Sequence, residues 1–374
     1  MNILKSTSPI RLIAFFLVAV MLICTFGFAV DGWSVKDDTE NKPSGKNPEQ
    51  NQDSTDLDKN DTKEDESQDT TTPEIYIPKF TSYITGLEVS EEISNKKATA
   101  IVMNPSGSSY AISSAELVAE FPIEDGSTRF LAFITDWSSA GKIGAILPTR
   151  SYISNLACYF DALTLSNGID DSVFYKACDF SGSHFDLSKH SGYHYSEFTH
   201  YQYTNPDLLN AGLKNVGLST VKNDKALPYV FNEFGAAPIC SSTEATSISI
   251  QYSDSSDTEF HYSADSLKYT MHKNGEEKKD MLNGKNVEFA NCLVLFADSI
   301  TYESANGSQM IMSTASGGTG YYFTNGSAFT ISWSADTDGN MTLFDDGGNK
   351  LAINRGNTYI GYVKSTRIQS VSFK

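Results

Sequence analysis

Residues 12–30 read LIAFFLVAVMLICTFGFAV, nineteen positions without a charge, preceded by Lys5 and Arg11 and no acid. A run of that length with that flank is either a long secretory signal or a single membrane anchor, with its positive end inside. Gly27 and Ala29 are small residues at the −3 and −1 positions of a cut after Ala29, as signal cleavage requires. Cys24 would carry the lipid of a lipoprotein, although Ile23 stands where a small residue is expected. Each reading makes the rest of the chain extracytoplasmic, membrane-anchored or secreted, and leaves residues 1–30 out of any globular core.

The next segment cannot build a core either. Residues 31–73 hold thirteen acids, five lysines and only three apolar residues, Trp33, Val35 and Leu57. That composition buries too little surface to offset the entropy of ordering, and like charges keep it extended. The expectation is an acidic disordered stalk that holds a domain away from a membrane. It carries −8 and residues 1–30 carry +2, so residues 74–374 account for −12 of the net −18. Such a chain has no counterion-releasing basic surface, which argues against nucleic acid as a partner. With 40% hydrophobic and 20% charged residues overall, the material for a core lies in residues 74–374.

Residues 74–245 mix two periodicities. KATAIVM (97–103) and TRFLAFITDW (128–137) are rich in β-branched and aromatic residues and predict strands. Ile153, Leu156, Ala157 and Phe160 recur at helical spacing within 151–163, and DSVFYKAC (171–178) suggests a second helix. Asn205-Pro206-Asp207 combines a cap, a first-turn proline and an acid at the positive dipole end, with Leu208, Leu209 and Leu213 to follow.

Residues 246–374 instead repeat Asn-Gly and Asp-Gly at 274, 283, 306, 325, 338 and 346. These dipeptides favour hairpin turns with positive φ. SISIQY, NCLVLFA, MIMSTA, FTISWSA and TYIGYV lie between them. The predicted fold is α+β: a mixed α/β N-terminal domain over 74–245, then an antiparallel all-β C-terminal domain over 246–374. A ligand cleft is expected at their junction, where pockets commonly form.

Beyond Cys24, the cysteines are Cys158, Cys178, Cys240 and Cys292, separated by 19, 61 and 51 residues. The spacings match no zinc pattern. Their apolar neighbours favour buried free thiols over disulfides, although an oxidising location permits either.

Short motifs in order along the chain resemble the YerB-like family of bacterial envelope proteins. Thr85-Gly86-Leu87 opens the resemblance. The ATAIVMN strand, the run from Glu124 to Leu131, Lys142-Ile143-Gly144 and Tyr159-Phe160-Asp161-Ala162 follow. In the second half, Ser316 to Gly320, Trp333 and Gly356-Asn357-Thr358-Tyr359-Ile360 fit the family's ending. The resemblance covers about 84–235 and 246–364. It implies two domains, a place in the envelope of Gram-positive bacteria, often as a lipoprotein, and no established activity. Leu147 replaces the first of two arginines usual after Lys-Ile-Gly, leaving Arg150. Ser166-Asn167-Gly168-Ile169 replaces a His and a Gly-Gly-Ser turn, and the stretch from Asn215 to Leu218 replaces a Pro-His-Asn-Leu. These losses argue against inherited catalysis.

Four of the six histidines fall at His184, His190, His194 and His200. Imidazoles suit transition metals, so His190, His194 and His200 are candidate ligands, with Asp186 and Glu197 nearby. Gly192 between His190 and His194 makes the segment a loop, and the helical protease signature is absent. Phe185, Tyr193, Tyr195, Phe198, Tyr201 and Tyr203 make it aromatic as well. Such rings suit sugars or protein partners. Tyr193, Tyr195 and Tyr201 are therefore candidate ligand-binding residues. So are Arg129, Arg150, Glu120 and Glu124: an arginine in an apolar strand is usually paired with an acid, or serves as a fork for an anion. Ser316 to Gly320 lacks the helix and lysine of a phosphate loop and reads as a turn or bulge. No motif requires a cofactor. The readings favour a tethered, non-enzymatic binding protein for a cell-wall polymer or an envelope protein, bound to the membrane through residues 12–30. The alternatives are an envelope hydrolase and a metal-binding domain.

Overall fold

In a computed structural model, which describes residues 75–107, 109–169, 182–197, 201–304 and 307–374, the apolar runs become strands. In the first half, α1 (Glu91–Ser94) precedes β1 (Thr99–Met103), β2 (Leu117–Pro122), β3 (Thr128–Ile134) and β4 (Ile143–Ile146). Then come α2 (Ser151–Tyr159), β5 (Leu163–Ser166), β6 (His184–Asp186), β7 (Tyr195–Ser196), β8 (Gln202–Thr204), α3 (Pro206–Val216) and β9 (Val230–Phe231). The second half supplies β10 (Ser247–Ser253), β11 (Ser256–Ser263), β12 (Lys268–Lys273), β13 (Glu276–Glu277) and β14 (Glu288–Phe289). It continues with β15 (Asn291–Ala297), β16 (Ser299–Ser304), β17 (Gly307–Met312), β18 (Gly317–Thr324) and β19 (Ser327–Ala335). The last strands are β20 (Met341–Phe344), β21 (Ala352–Ile353), β22 (Thr358–Lys364) and β23 (Val371–Phe373).

Local chemistry accounts for most of these boundaries. Asn205 caps α3 by accepting the Leu208 N–H at 2.9 Å, and Gly217 ends it at φ +71. Asn274-Gly275 and Asn325-Gly326 adopt positive φ at both positions, closing the β12–β13 and β18–β19 hairpins. At 346–348 the positive φ falls on Gly348 rather than Gly347. The run from Gly317 to Gly320 is not the expected turn but the start of β18. A Cβ on Gly318 or Gly320 would lie 2.3 Å from the carbonyl oxygens of Phe296 and Val294, so these glycines admit close backbone approach.

A 13-stranded sheet runs in the order β20-β19-β18-β15-β22-β2-β3-β1-β4-β8-β7, with β5 and β6 joined beside β1. It is continuous across residue 245. β22 pairs in parallel with β2, Leu117 opposite Thr358 through Glu120 opposite Gly361, and in parallel with β15 on its other side. The second half is therefore β-rich but not purely antiparallel. Turn signals mark hairpins, whereas a parallel partner arrives by a long crossover that leaves no local mark. A separate six-stranded antiparallel sheet holds β13, β12, β11, β10 and β23, with β14 beside β12.

Both faces of the large sheet are covered, which explains why every residue of β2 and β3 is buried. Leu117, Ala119 and Phe121 face Tyr152, Ile153, Leu156 and Ala157 of α2. Val118, Phe130 and Ala132 face Ile248, Ile250, Phe260 and Met271 of the smaller sheet, and Leu209 and Leu213 of α3 extend that second core.

One polar cluster sits between the two sheets. Glu120 is fully buried and accepts from Thr128 Oγ1 at 2.5 Å, Thr258 Oγ1 at 2.7 Å, Tyr359 OH at 2.8 Å and Lys273 Nζ at 2.7 Å. Lys273 also donates to Ser256 Oγ at 2.9 Å, and Tyr252 OH meets Tyr359 OH at 2.7 Å. Nearby, Lys278 Nζ donates to the Pro105 carbonyl at 2.7 Å, and burial lowers its pKa to about 8.

Cys292 is a buried free thiol as expected, whereas Cys240 is exposed and free. Cys158 is disulfide-bonded, contrary to the free-thiol expectation. The anchor or signal at 12–30, the stalk at 31–73 and the helix expected at 171–178 lie outside the described residues. No helix among the described residues is long and apolar enough to cross a membrane.

Removing one member of a buried ion pair strands the other. Lys273→Met is expected to lower the unfolding free energy by about 3–5 kcal/mol, and adding Glu120→Gln to recover part of that loss. Urea titration of the two variants reads both effects. Equal losses in the single and double variants would show that the stranded Glu120 charge is not what destabilises the single variant.

Candidate functional site

The four charged candidates of the first half separate because strand side chains alternate between faces. Glu120 points toward the smaller sheet and is sealed by its four donors. Arg129, opposite Phe121 in the β2–β3 register, points to the other face, where its Nη1 donates to the Pro148 carbonyl. Arg150, 2% exposed at the N-terminal boundary of α2, forks onto Glu124 through Nε at 3.3 Å and through Nη2. The Arg–Glu pair thus forms between Arg150 and Glu124, and Glu120 stands apart from both. With Glu120 at 0% exposure, the ligand-binding role expected of it is not available to a solvent-borne ligand.

The histidine segment divides in the same way. His184 Nε2 lies 2.8 Å from Ser166 Oγ, and burial pushes its pKa down to about 4. The His190 ring packs on Phe185 at 5.3 Å, and His194 Nδ1 meets Gln202 Oε1 at 2.7 Å. His200 lies outside the described residues. Among those residues, no three His, Cys, Asp or Glu side chains gather as metal ligands.

The aromatic residues around them face one another. Tyr193 packs on Phe185 at 6.0 Å, and Tyr195 on the buried Tyr203 at 6.1 Å, with Tyr110 edge-on to Tyr203 at 5.7 Å. Lys142 Nζ sits 4.0 and 3.9 Å from the ring centres of Tyr110 and Tyr203 and pairs with Glu197 at 2.5 Å. A lysine of the chain itself therefore covers two of the ring faces. Tyr201 is half-buried.

The structure brings together a different set. Ser113, Lys268, Lys285, Asn286, Glu288 and Asn357 line a cleft of about 410 Å³. It opens where the segment before β2 meets β12 and β14 of the smaller sheet. Its walls are held by hydrogen bonds, most of them partly buried. Asp280 accepts the N–H groups of Ala111 at 3.0 Å and Ser113 at 2.9 Å, together with the Ser113 hydroxyl at 2.6 Å. Asn357 Nδ2 donates to the Ala115 carbonyl at 2.7 Å. Asn286 Nδ2 donates to Glu277 Oε1 at 2.8 Å, and Thr270 Oγ1 to Glu288 Oε1 at 3.3 Å.

All six lining side chains are polar. Lys268 and Lys285 have no salt-bridge partner among the described residues, so two ammonium groups, two amides, a hydroxyl and one carboxylate face an open space. That inventory can hydrogen-bond hydroxyls and neutralise an acidic group. Sequence reasoning placed a cleft at this junction but named none of its residues. Only Asn357, inside Gly356-Asn357-Thr358, and Lys285, beside Asn283-Gly284, stood next to a recognised motif. Glu116 was also missed. It accepts from Ser82 Oγ at 2.7 Å and from Thr135 Oγ1, and burial raises its pKa above the usual carboxylate range.

His184 has a folded pKa below its unfolded one, so the unfolded chain binds more protons between these values. Its stabilising contribution is complete above pH 6.5 and is lost as pH falls toward 4, by about 3 kcal/mol in all. His184→Gln is expected to flatten that part of the pH–stability curve relative to wild type, read by denaturant titration. Identical slopes in the two proteins would mean that His184 is not held neutral.

Comparisons with known proteins agree with the order of elements. Residues 84–219 match the N-terminal domain of a protein of unknown function, DUF3048, and residues 248–360 match its C-terminal domain. The crystal structure of the YerB protein from Bacillus subtilis superposes with a TM-score of 0.67 at 21% identity. The alignment covers 79% of this chain and 100% of that one, and at this identity it speaks for the fold. No curated protein matches the sequence. With both domains matched in order over most of the described residues, the chain belongs to the DUF3048, or YerB-like, family of unknown function.

Proposed function

We propose that this protein is a non-enzymatic binding protein of the bacterial cell envelope. Residues 12–30 hold it at the membrane as anchor or leader, the acidic stretch 31–73 spaces it outward, and the folded region binds an acidic, hydroxyl-rich wall polymer. The observation that carries this reading is the cleft at Ser113, Lys268, Lys285, Asn286, Glu288 and Asn357. Two lysines without salt-bridge partners among the described residues are conspicuous in a chain of net charge −18. Amides beside ammonium groups suit the hydroxyls and carboxylates of a wall glycan. The carboxylates that a hydrolase reading relied on, Glu120 and Glu124, are committed to Lys273 and Arg150.

The test is co-sedimentation of the full chain, in mild detergent, with isolated peptidoglycan sacculi at two salt concentrations. Wild type is expected to sediment at both, with the bound fraction falling several-fold in the Lys268→Glu/Lys285→Glu variant. Failure to sediment at the lower salt, or sedimentation that the double variant retains unchanged, would overturn polymer recognition by this cleft. Crosslinking in intact cells would then be the route to a protein partner.

A further inference from the structure

We propose that Arg355 is the centre of a carboxylate-binding site, taking an acid whose neighbouring groups are apolar. None of the residues that surround it lines the cleft described above.

The guanidinium is held in one orientation. Its carbon lies 3.6 Å from the Phe234 ring centre and 5.4 Å from that of Phe231. Nη1 donates to the Gly86 carbonyl at 2.7 Å. The turn carrying Gly86 closes directly over it. Gly86 has φ +67, and a Cβ there would lie 2.7 Å from Arg355 Nη1 and 2.8 Å from Phe231. The backbone on the other side is fixed too, because the Gly356 N–H donates to the Thr85 carbonyl at 2.9 Å.

What this arrangement lacks is an acid. Arg355 has no salt-bridge partner among the described residues, and its Nε is screened from water without an acceptor. Burial lowers its pKa, and among the described residues no carboxylate opposes that effect. The comparison within the chain is direct. Arg150 has Glu124, Lys273 has Glu120, Lys97 has Asp161 and Lys142 has Glu197. With Nη1 on the Gly86 carbonyl and Nε shielded, the outward edge at Nη2 is what this half-buried arginine keeps for an oxyanion in so acidic a protein.

The surroundings choose among oxyanions. Two residues beside the clamp are exposed and apolar: Leu87, next to Gly86, and Ile75, which packs against Gly235 beside Phe234. Aromatic faces and an aliphatic rim suit a carboxylate on an apolar chain better than a strongly hydrated phosphate. The class of ligand is thus an acid such as a peptide carboxylate with apolar neighbours.

The chain has five arginines, Arg11, Arg129, Arg150, Arg355 and Arg367, so arginine-selective 15N labelling of the full chain gives a sparse Nε–H spectrum. Loss of one resonance in Arg355→Lys assigns it. Acetate, hexanoate and inorganic phosphate are the probes. A saturable shift of the Arg355 resonance with both carboxylates is expected, at several-fold lower concentration for hexanoate, with Arg129 and Arg150 unmoved. No saturable shift with either carboxylate would overturn the proposal. A shift with phosphate alone, or equal response to acetate and hexanoate, would overturn the assignment of ligand class.

Discussion

A carboxylate with no access to water constrains this fold more than any other single group. Glu120 lies in the middle of β2, and a charge placed there costs several kcal/mol unless it is paired and fully hydrogen-bonded. Its partners come from four strands. Thr128 is its neighbour in β3, Tyr359 stands in β22, and Thr258 and Lys273 reach down from β11 and β12 of the other sheet. Satisfying one side chain therefore fixes where the smaller sheet sits over the larger one. It also favours one strand register, because a one-residue slip of β22 would turn Tyr359 to the opposite face. Lys278 and Asp280 add further ties to the Pro105 carbonyl and to the Ala111–Ser113 turn. The apolar cores on either side supply the burial, but apolar contacts alone are less particular about position.

Much of the secondary structure was legible because its causes are local. The Asn205 cap, the Asn-Gly turns and the β-branched runs act over a few residues, and each appears where its chemistry placed it. The glycine run at 317–320 misled because glycine serves both turns and close strand contacts. Only the carbonyls of Phe296 and Val294, supplied by a neighbouring strand, decide between them. The parallel insertion of β22 had no local signature at all. Likewise, Cys158 and Cys292 both sit among apolar neighbours, and only the fold separates the bonded thiol from the free one.

The site was less legible for the same reason. Residue types that attract attention in a sequence are charged residues in apolar strands and clusters of histidine and tyrosine. In this protein the first are mostly satisfied internally, as Arg150 is by Glu124. The aromatic cluster is packed on itself and on Lys142. The groups left facing open space are ordinary lysines and asparagines on separate segments, made neighbours by the packing of one sheet against another. Arg129 could be read in advance as a residue needing a partner. That the backbone carbonyl of Pro148 is among its partners could not.

The position of β22 also bears on the order in which the chain can assemble. Glu120 and Tyr359 are 239 residues apart, and the strand carrying Tyr359 lies between β2 and β15 in the finished sheet. While the chain is being synthesised, β2 and β15 each keep a bare hydrogen-bonding edge until one of the last segments emerges, and Glu120 waits without one of its donors. Local hairpins can close early, but the central seam cannot. Vectorial folding from the N-terminus is thereby denied to this architecture. Its unfinished form is two sheet fragments, each with an uncovered edge, the kind of intermediate that invites pairing with another chain.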